Sequence, residues 1–299
     1  MHAARLVRCP QVSDIRQQHG TNNNMTEHHG ITAHPTDQAH GLRQMFNSRV
    51  QRFVPIVSNP HLLFGGVVLE RLCSAWGEMG LSTLVVDAGE RSSPPRELAE
   101  FDLREGIESL SSQVHYLSAR GLPLRHVDAH GSSASFIDAL AQAAPGVDVV
   151  LVHASASELA RMFGRAARRD GAHRLCPAVL VDERAESITH AYAGIKTLAT
   201  RAGLLAHNLI VCSTGRGAGA PQIAQRLATC SDSFLGAAQR SWAEIDPLQP
   251  ATEAPGPELR ACARELLDAA LPYLSSDSLT LAAAGPGAAL PARLAPVLN

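Results

Sequence analysis

From residue 50 onward, short apolar runs alternate with segments whose apolar residues recur every three or four positions. The apolar runs predict strands, which we place at 52–58, 81–87, 123–128, 147–153, 177–182 and 208–212, with a last strand near 240–245. The periodic segments predict helices at 66–79, 103–119, 132–143, 187–202 and 219–235. Apolar strands that alternate with amphipathic helices form a mostly parallel sheet with helices on both faces. We therefore predict an α/β domain over residues 50–247, with ligands bound where the strands end.

The two ends of the chain lack this alternation. Residues 1–35 have few apolar positions and no periodicity, which is typical of a disordered tail. Histidines are frequent in this tail, but their irregular spacing does not indicate a metal site. Residues 275–299 are rich in Ala, Gly, Leu and Pro, and this composition predicts a second disordered tail.

Two amphipathic helices are predicted outside the α/β domain. Residues 36–47 form the first, which Thr36 or Asp37 can cap and whose apolar residues share one face. Residues 258–274 form the second, after a linker rich in Pro and Gly. Its acidic and basic side chains nearly cancel, whereas helices that lie on membranes favour Lys and Arg on their polar face. We expect the second helix to pack against the domain, with weak or no membrane association.

Charge and cysteine usage narrow the choice of partners and compartment. The formal net charge is −2, which gives no general attraction to nucleic acid or to an anionic membrane. The six cysteines show neither a disulfide framework nor zinc spacing and are expected to be reduced thiols. No apolar run approaches the roughly 20 residues that span a bilayer. We predict a cytoplasmic protein and leave peripheral association with the inner membrane open.

The first strand-loop-helix unit resembles a nucleotide site that lacks its chemistry. In an α/β chain of this kind, the loop 59–66 is where the phosphates of a nucleotide would bind. It contains no lysine, its two glycines are the final residues Gly65 and Gly66, and no Ser or Thr follows them. Phosphate binding needs backbone N–H groups, a cation and a hydroxyl that holds magnesium. The sequence therefore predicts a phosphate loop without its binding groups.

Three stretches resemble the MinD/ParA-type deviant Walker ATPases, and among them the FlhG-type regulators of flagellar number and placement. Residues 37–43, DQAHGLR, are similar to the DQAxxLR element of that family. Residues 80–87 resemble the strand that ends in LLLDAD, and residues 187–196 resemble SITDAYxxIK. The resemblance covers residues 36–245 and implies a P-loop NTPase fold of the MinD/ParA type.

The same resemblance shows which functional groups are missing. An ungapped alignment back from Gly80 places the P-loop lysine of the family on Gly65 and its magnesium-holding threonine on Gly66. The Walker B acid falls on His153, and Asp87 alone is retained. The second lysine of the family falls on Pro60, and its adenine-contacting asparagine falls on Cys212. We expect no catalytic residue, no metal ligand and neither ATP nor magnesium as a regular cofactor.

Asp87, His153 and the glycine-rich loop at 214–219 also have ordinary structural explanations. Asp87 ends a buried strand, where an acid commonly accepts hydrogen bonds from the next loop, and we favour this role over catalysis. His153 is expected to be a hydrogen-bonded histidine within the core. The glycine-rich residues 214–219 lack the spacing of a phosphate loop and are predicted to be a flexible loop. The positions Gly65, Gly66, Asp87 and His153 thus form a degenerate nucleotide site.

The resemblance implies that the DQAHGLR segment binds an FlhF-like GTPase of the SRP type and stimulates its GTP hydrolysis. Gln38 or Arg43 could then reach the nucleotide of the partner. The alternative is an ordinary helix packed on its own domain. Other predicted partners are flagellar basal-body or transcriptional regulator proteins. An active membrane-cycling ATPase and a structural scaffold remain alternative functions. The predicted partner-binding residues are Asp37, Gln38, Ala39, Gly41, Leu42 and Arg43.

Overall fold

The computed structural model describes residues 50–95, 102–169, 175–214, 219–250 and 252–273. The predicted docking helix at 36–47 and both predicted tails lie outside the described residues, and their predictions stay as stated. Most of the glycine-rich loop at 214–219 also lies outside the described residues.

Nine strands and seven α-helices make up the described part of the chain. The strands are β1 Gln51–Val57, β2 Thr83–Asp87, β3 Ile107–Ser109, β4 Val114–Ser118, β5 Val149–Ala154, β6 Ala178–Asp182, β7 Ala206–Cys212, β8 Ala238–Ile245 and β9 Leu271–Tyr273. The helices are α1 Gly65–Glu78, α2 Leu122–Arg125, α3 Ser135–Ala143, α4 Ala156–Arg169, α5 Ala185–Thr197, α6 Gly219–Leu235 and α7 Pro257–Asp268. A π-helical turn, Leu198–Ala202, continues α5.

The strands form one sheet in the order β3-β4-β2-β5-β1-β6-β7-β8, and β9 pairs with β1. Neighbouring strands run parallel except at β3–β4 and β1–β9. The predicted α/β fold with a mostly parallel sheet is confirmed.

Both faces of the sheet are buried, as the central apolar runs of the strands predict. Within β1, Phe53 and Val57 belong to the core that packs under α3, α4, α5 and α6. Val54 and Ile56 belong to the core on the opposite face, under α1 and α7. Successive strand residues point to opposite faces, so a strand with helices on both sides needs apolar residues throughout.

A proline occupies the middle of β1, which is a central strand. The amides of Arg52 and Ser58 donate to the carbonyls of Asp148 and Ala154, on the side of β5. Amides alternate in direction along a strand, so the backbone nitrogen of Pro55 faces the other side. On that side β9 pairs with residues 51–53 and β6 with Ile56 and Val57 only. The missing N–H of Pro55 thus falls in the gap between two partner strands, where no ladder bond is lost.

The C-terminal helix α7 buries its apolar stripe against the domain. Leu259, Cys262 and Leu266 are buried there, and the indole nitrogen of Trp76 in α1 donates to the carbonyl of Ala263 at 3.0 Å. This packing agrees with the expectation for this helix. Of the helices in the described ranges, none is both long enough and apolar enough to cross a bilayer.

Three predictions of local structure were wrong, and one helix was missed. The predicted helix 103–119 contains β3 and β4 instead, because Val114 and Tyr116 suit a strand and β2 offers a partner edge. The predicted strand 123–128 is replaced by helix α2, with Pro123 in its first turn. Helix α4 was not predicted. The predicted helix 258–274 ends at Asp268, because Leu271–Tyr273 pairs with β1.

Candidate functional site at the carboxyl ends of the strands

The carboxyl ends of five parallel strands meet at one edge of the sheet, where ligands bind in α/β folds. β1 leads into the loop 58–64, β2 ends at Asp87, and His153 lies one residue before the end of β5. Asp182 and Cys212 end β6 and β7. This edge carries the predicted degenerate nucleotide-site residues Gly65, Gly66, Asp87 and His153.

The loop after β1 is held in place by the buried side chain of Asn59. Its Nδ2 donates to the carbonyl of Leu180 at 2.9 Å and to the carbonyl and hydroxyl of Ser187, both at 3.0 Å. Its Oδ1 accepts a hydrogen bond from the amide of His61 at 3.1 Å. One amide side chain therefore fastens this loop to strand β6 and to the first turn of α5.

The rest of the loop is filled by apolar side chains. Leu62 is 3% exposed and packs into the core under α1, whereas Leu63 and Phe64 are 60% and 40% exposed. Gly65 and Gly66 are the first two residues of α1 and not part of the turn itself. The loop ends in a helix N-terminus, but neither a lysine nor a hydroxyl accompanies it.

Asp87 and His153 form a hydrogen-bonded pair across neighbouring strands. The two residues are register partners in the parallel pairing of β2 with β5, and Oδ1 of Asp87 lies 2.8 Å from Nδ1 of His153. Their side chains are 19% and 13% exposed. The structure therefore brings together two predicted site residues that are far apart in sequence.

Two further groups donate hydrogen bonds to the carboxylate of Asp87. The amide of Gly89 donates to Oδ1 at 3.1 Å, and the hydroxyl of Tyr116 donates to Oδ2 at 3.1 Å. Burial alone would raise the pKa of Asp87, but the hydrogen bond and charge of His153, with the Gly89 amide and Tyr116 hydroxyl, lower it overall. Asp87 accepts a loop amide, as its expected structural role requires, and His153 is hydrogen-bonded within the site.

The loop after β2 is tied to the same edge. The hydroxyl of Ser58 donates to Oε2 of Glu90 at 2.9 Å, and the hydroxyl of Ser92 donates to the carbonyl of Asp87 at 2.7 Å. The first bond joins the loop after β2 to the end of β1, and the second ties that loop to the end of its own strand. The two ionisable groups beside this loop, the carboxylate of Asp87 and the imidazole of His153, are hydrogen-bonded to each other.

The ends of β6 and β7 are also paired internally. Arg184 donates to the carboxylate of Asp182 at 2.8 Å and 3.0 Å. The hydroxyl of Ser213 donates to Glu183 at 2.9 Å. Cys212 is buried, and burial raises the pKa of its thiol to about 12, so it is a neutral apolar group at this edge. Within the described ranges, no group of three or more His, Cys, Asp or Glu side chains could hold a metal ion.

Comparisons with known proteins gave matches among solved structures. The sequence matches no protein-family model and no curated protein. Solved structures similar in fold include the MinD cell division protein of Aquifex aeolicus, with a TM-score of 0.46 and 12% identity over 72% of this chain and 96% of that one. Cobyrinic acid a,c-diamide synthase of Mycobacterium smegmatis gives 0.46 and 14% over 72% and 92%. A plasmid partition protein of Borrelia burgdorferi gives 0.45 and 9% over 73% and 96%.

Two features of this edge were not predicted from the sequence. One is the role of Asn59, whose partners Leu180 and Ser187 are supplied by elements more than a hundred residues away. The other is the placement of His61 beside His190, with ring centroids 5.6 Å apart. The only local signal of this contact in the sequence is His190 itself, which stands where the SITDAYxxIK pattern has Asp.

Proposed function

We propose that this chain is a regulator of flagellar assembly of the FlhG type that no longer uses ATP. In this proposal it acts by binding an FlhF-like GTPase through residues 37–43. The observation that carries the proposal is the state of the loop after β1, which is fastened by Asn59 and packed by Leu62.

Three physical arguments speak against ATP chemistry at this edge. A phosphate loop needs its backbone N–H groups turned toward the phosphates, whereas the amide of His61 already donates to Asn59. The negative charge of the β- and γ-phosphates needs a cation, and this loop has no lysine. Magnesium needs a hydroxyl and a free acid, but Gly66 has no hydroxyl and Asp87 is bound by His153.

A domain without nucleotide chemistry still has surfaces that can bind partners. The DQAHGLR segment matches the family element at Asp37, Gln38, Ala39, Leu42 and Arg43, which supports a docking role. Gln38 and Arg43 are residue types that can stabilise charge at the nucleotide of a partner GTPase. Basal-body and transcriptional regulator proteins are further partners under this proposal.

The proposal includes neither nucleic-acid binding nor ATP-driven membrane cycling. The net charge of −2 supports the absence of nucleic-acid binding. The absence of membrane cycling is supported by α7, whose apolar residues Leu259, Leu266 and Leu267 are buried in the domain. Membrane binding through an amphipathic helix would need such residues to face lipid.

GTP turnover by the cognate FlhF-like GTPase tests the docking role. We expect the full chain to accelerate turnover and Gln38→Ala to abolish the acceleration. Gln18→Ala, which changes the same residue type outside the matched element, serves as the control and should leave the acceleration intact. No acceleration by the full chain, or full acceleration by Gln38→Ala, would refute the docking role.

Calorimetry with MgATP tests the loss of nucleotide binding separately. We expect no saturable heat with the full chain. Tight MgATP binding that is lost in Asp87→Ala would instead indicate an active ATPase with unusual phosphate contacts. A protein that binds no MgATP and leaves GTP turnover unchanged would be best described as a scaffold.

A further inference from the structure

A row of arginine side chains lies on the exposed face of α4. Arg161 and Arg165 are exposed and stand four residues apart, so they are neighbours on the helix surface. Arg201, from the π-helical turn after α5, donates from its guanidinium to the hydroxyl of Ser157 at 3.4 Å. Ser157 is itself four residues before Arg161 in α4. Arg201, Arg161 and Arg165 therefore follow one another along α4 at intervals of about one helical turn, and we call them the arginine row.

The positive charge of the arginine row is balanced only in part by the chain itself. Arg165 forms an ion pair with Asp128 at 3.1 Å. Within the described residues, Arg161 forms no side-chain hydrogen bond or ion pair, and Arg201 bonds a neutral hydroxyl and no carboxylate. The one acid within α4, Glu158, instead accepts a hydrogen bond from a hydroxyl at the start of the helix. Two of the three guanidinium groups thus lack a carboxylate.

The fold does not require these charges. Like charges four residues apart on a helix repel each other and lower its stability. Arginine is favourable in the last turn of a helix, where it interacts with the helix dipole, but Arg161 lies in the middle of α4. The helix is held in place by its opposite side, where Leu159, Met162 and Phe163 are fully buried. The arginine row therefore adds a charged surface without contributing to the packing of α4.

We propose that the arginine row binds an acidic helical segment of a partner protein. A guanidinium group can bind a carboxylate through two parallel N–H···O bonds, which makes arginine well suited to this contact. Glutamates four residues apart on a helix recur at the same interval as the arginine row. A partner helix with glutamate at every fourth position can therefore lie along α4, with Arg201 and Arg161 as its principal contacts. This surface is separate from the proposed docking through residues 37–43.

An acidic protein segment fits this surface better than a membrane or a nucleic acid does. Helices that lie on membranes combine basic residues with apolar side chains that enter the lipid. The large apolar side chains of α4 are instead buried in the core of the domain. Nucleic acid binds to domains with a basic overall charge, whereas this chain has a net charge of −2. The arginine row thus offers local charge for a local acidic partner.

An NMR titration of the full chain with a helical peptide tests the surface. The probe is an alanine-based peptide with blocked ends and glutamate at every fourth position. We expect it to shift the side-chain Nε–H signals of Arg161 and Arg201, whereas the signal of Arg226, an exposed arginine on α6, should not move. The same peptide with glutamine in place of glutamate should shift none of them. Binding should weaken as salt is added, because exposed charges are screened.

Single substitutions separate the arginine row from a general attraction between charges. Arg161→Gln and Arg201→Gln should each weaken binding of the labelled peptide by about 3-fold, as expected for one exposed ion pair, and the double variant by about 10-fold. Arg226→Gln removes the same charge from α6 and should leave the affinity unchanged. Fluorescence anisotropy at low salt measures these affinities.

Several outcomes would overturn the proposal. One is the absence of saturable binding by the glutamate peptide, and another is equally tight binding of the glutamine peptide. An equal loss of affinity in Arg161→Gln and Arg226→Gln would show that binding follows the total charge and not the arginine row. Tighter binding of phosphatidylglycerol vesicles or of a DNA duplex than of the peptide, lost in Arg161→Gln, would assign the surface to a membrane or to nucleic acid instead.

Discussion

The carboxylate of Asp87 and the imidazole of His153 lie opposite each other on adjacent parallel strands, with Oδ1 and Nδ1 2.8 Å apart. The pKa of Asp87 is lowered, because the opposing effect of burial is outweighed by His153, Gly89 and Tyr116. An ionised carboxylate can only accept, so the proton of the neutral imidazole belongs on Nδ1. The pair therefore fixes the tautomer of the ring.

This tautomer can be measured directly. Nitrogen-15 NMR of the histidine rings should show that Nδ1 of His153 carries a proton. Asp87→Asn should destabilise the domain by about 1–3 kcal/mol, because a buried hydrogen bond to a charged group is weakened. His115→Gln, a substitution of a histidine on the neighbouring strand β4, is the control for resonance assignment. An unprotonated Nδ1 of His153 in the unaltered protein would contradict the expected arrangement.

Gly89 leaves the space that the imidazole of His153 occupies. A Cβ at this position would lie 2.9 Å from Cε1 of His153 and 3.2 Å from Oδ1 of Asp87. Gly89→Ala should therefore destabilise the domain by about 1–3 kcal/mol in urea unfolding, as overpacking typically does. Gly66→Ala is the matched control, since nothing lies within 4 Å of its Cβ. In the first turn of α1 it should be neutral or stabilise by up to about 1 kcal/mol. Equal effects of the two substitutions would show that the ring moves aside freely.

The sequence predicts the central sheet well because its strands are buried on both faces. β1, β2, β5, β6 and β7 each contain a central apolar run, and this pattern gives both their positions and the parallel α/β class. The edge hairpin β3–β4 was predicted as a helix, because Leu103, Ile107, Leu110 and Val114 also match a helical period. At an edge of the sheet the pairing partner decides the structure, and periodicity does not reveal the partner.

The chemistry of the candidate site was predictable only in part. Asp87 ends one buried strand and His153 lies one residue before the end of another, which places them at one edge of a parallel sheet. That they bind each other depends on β2 and β5 being neighbours, and strand order cannot be read from apolar runs. The anchoring by Asn59 was missed for the same reason. Leu180 and Ser187 come within reach of the Asn59 side chain only because β6 pairs with β1.

Asn59 is expected to be the residue on which the shape of the loop after β1 depends. Asn59→Ala removes the donor to Leu180 and Ser187 and the acceptor for the amide of His61. We expect a loss of about 2–4 kcal/mol in the free energy of unfolding, because several buried partners lose a hydrogen bond together.

The exposed hydroxyl of Thr189, which only bonds back to its own helix, provides the comparison for Asn59. Thr189→Ala should change stability by less than about 0.5 kcal/mol. Amide hydrogen exchange would add a local readout, since Asn59→Ala should accelerate exchange at His61 and Leu62 first. Unchanged exchange at these two amides would show that the loop is held by Leu62 packing instead.

His207 should make the stability of the domain depend on pH. It is 2% exposed, and neither ring nitrogen has a hydrogen-bond partner in the part of the chain that the structure describes. Burial lowers its pKa from the ordinary 6.5 to about 4. The unfolded chain therefore takes up a proton below pH 6.5, whereas the folded protein does so only near pH 4. Stability contributed by the neutral ring is present above pH 6.5 and is lost as the pH falls toward 4.

The size of this effect follows from the two pKa values. Between pH 7.5 and 5.0, His207 should remove about 2 kcal/mol from the free energy of unfolding. His207→Leu, which keeps an apolar side chain in the same site, should abolish this part of the pH dependence and be more stable than the unaltered protein at pH 5.0. Urea unfolding at both pH values gives the comparison, and His130→Leu on the surface should retain the full dependence. If His207→Leu lost as much stability on acidification as His130→Leu, the buried imidazole would have to be charged in the folded protein.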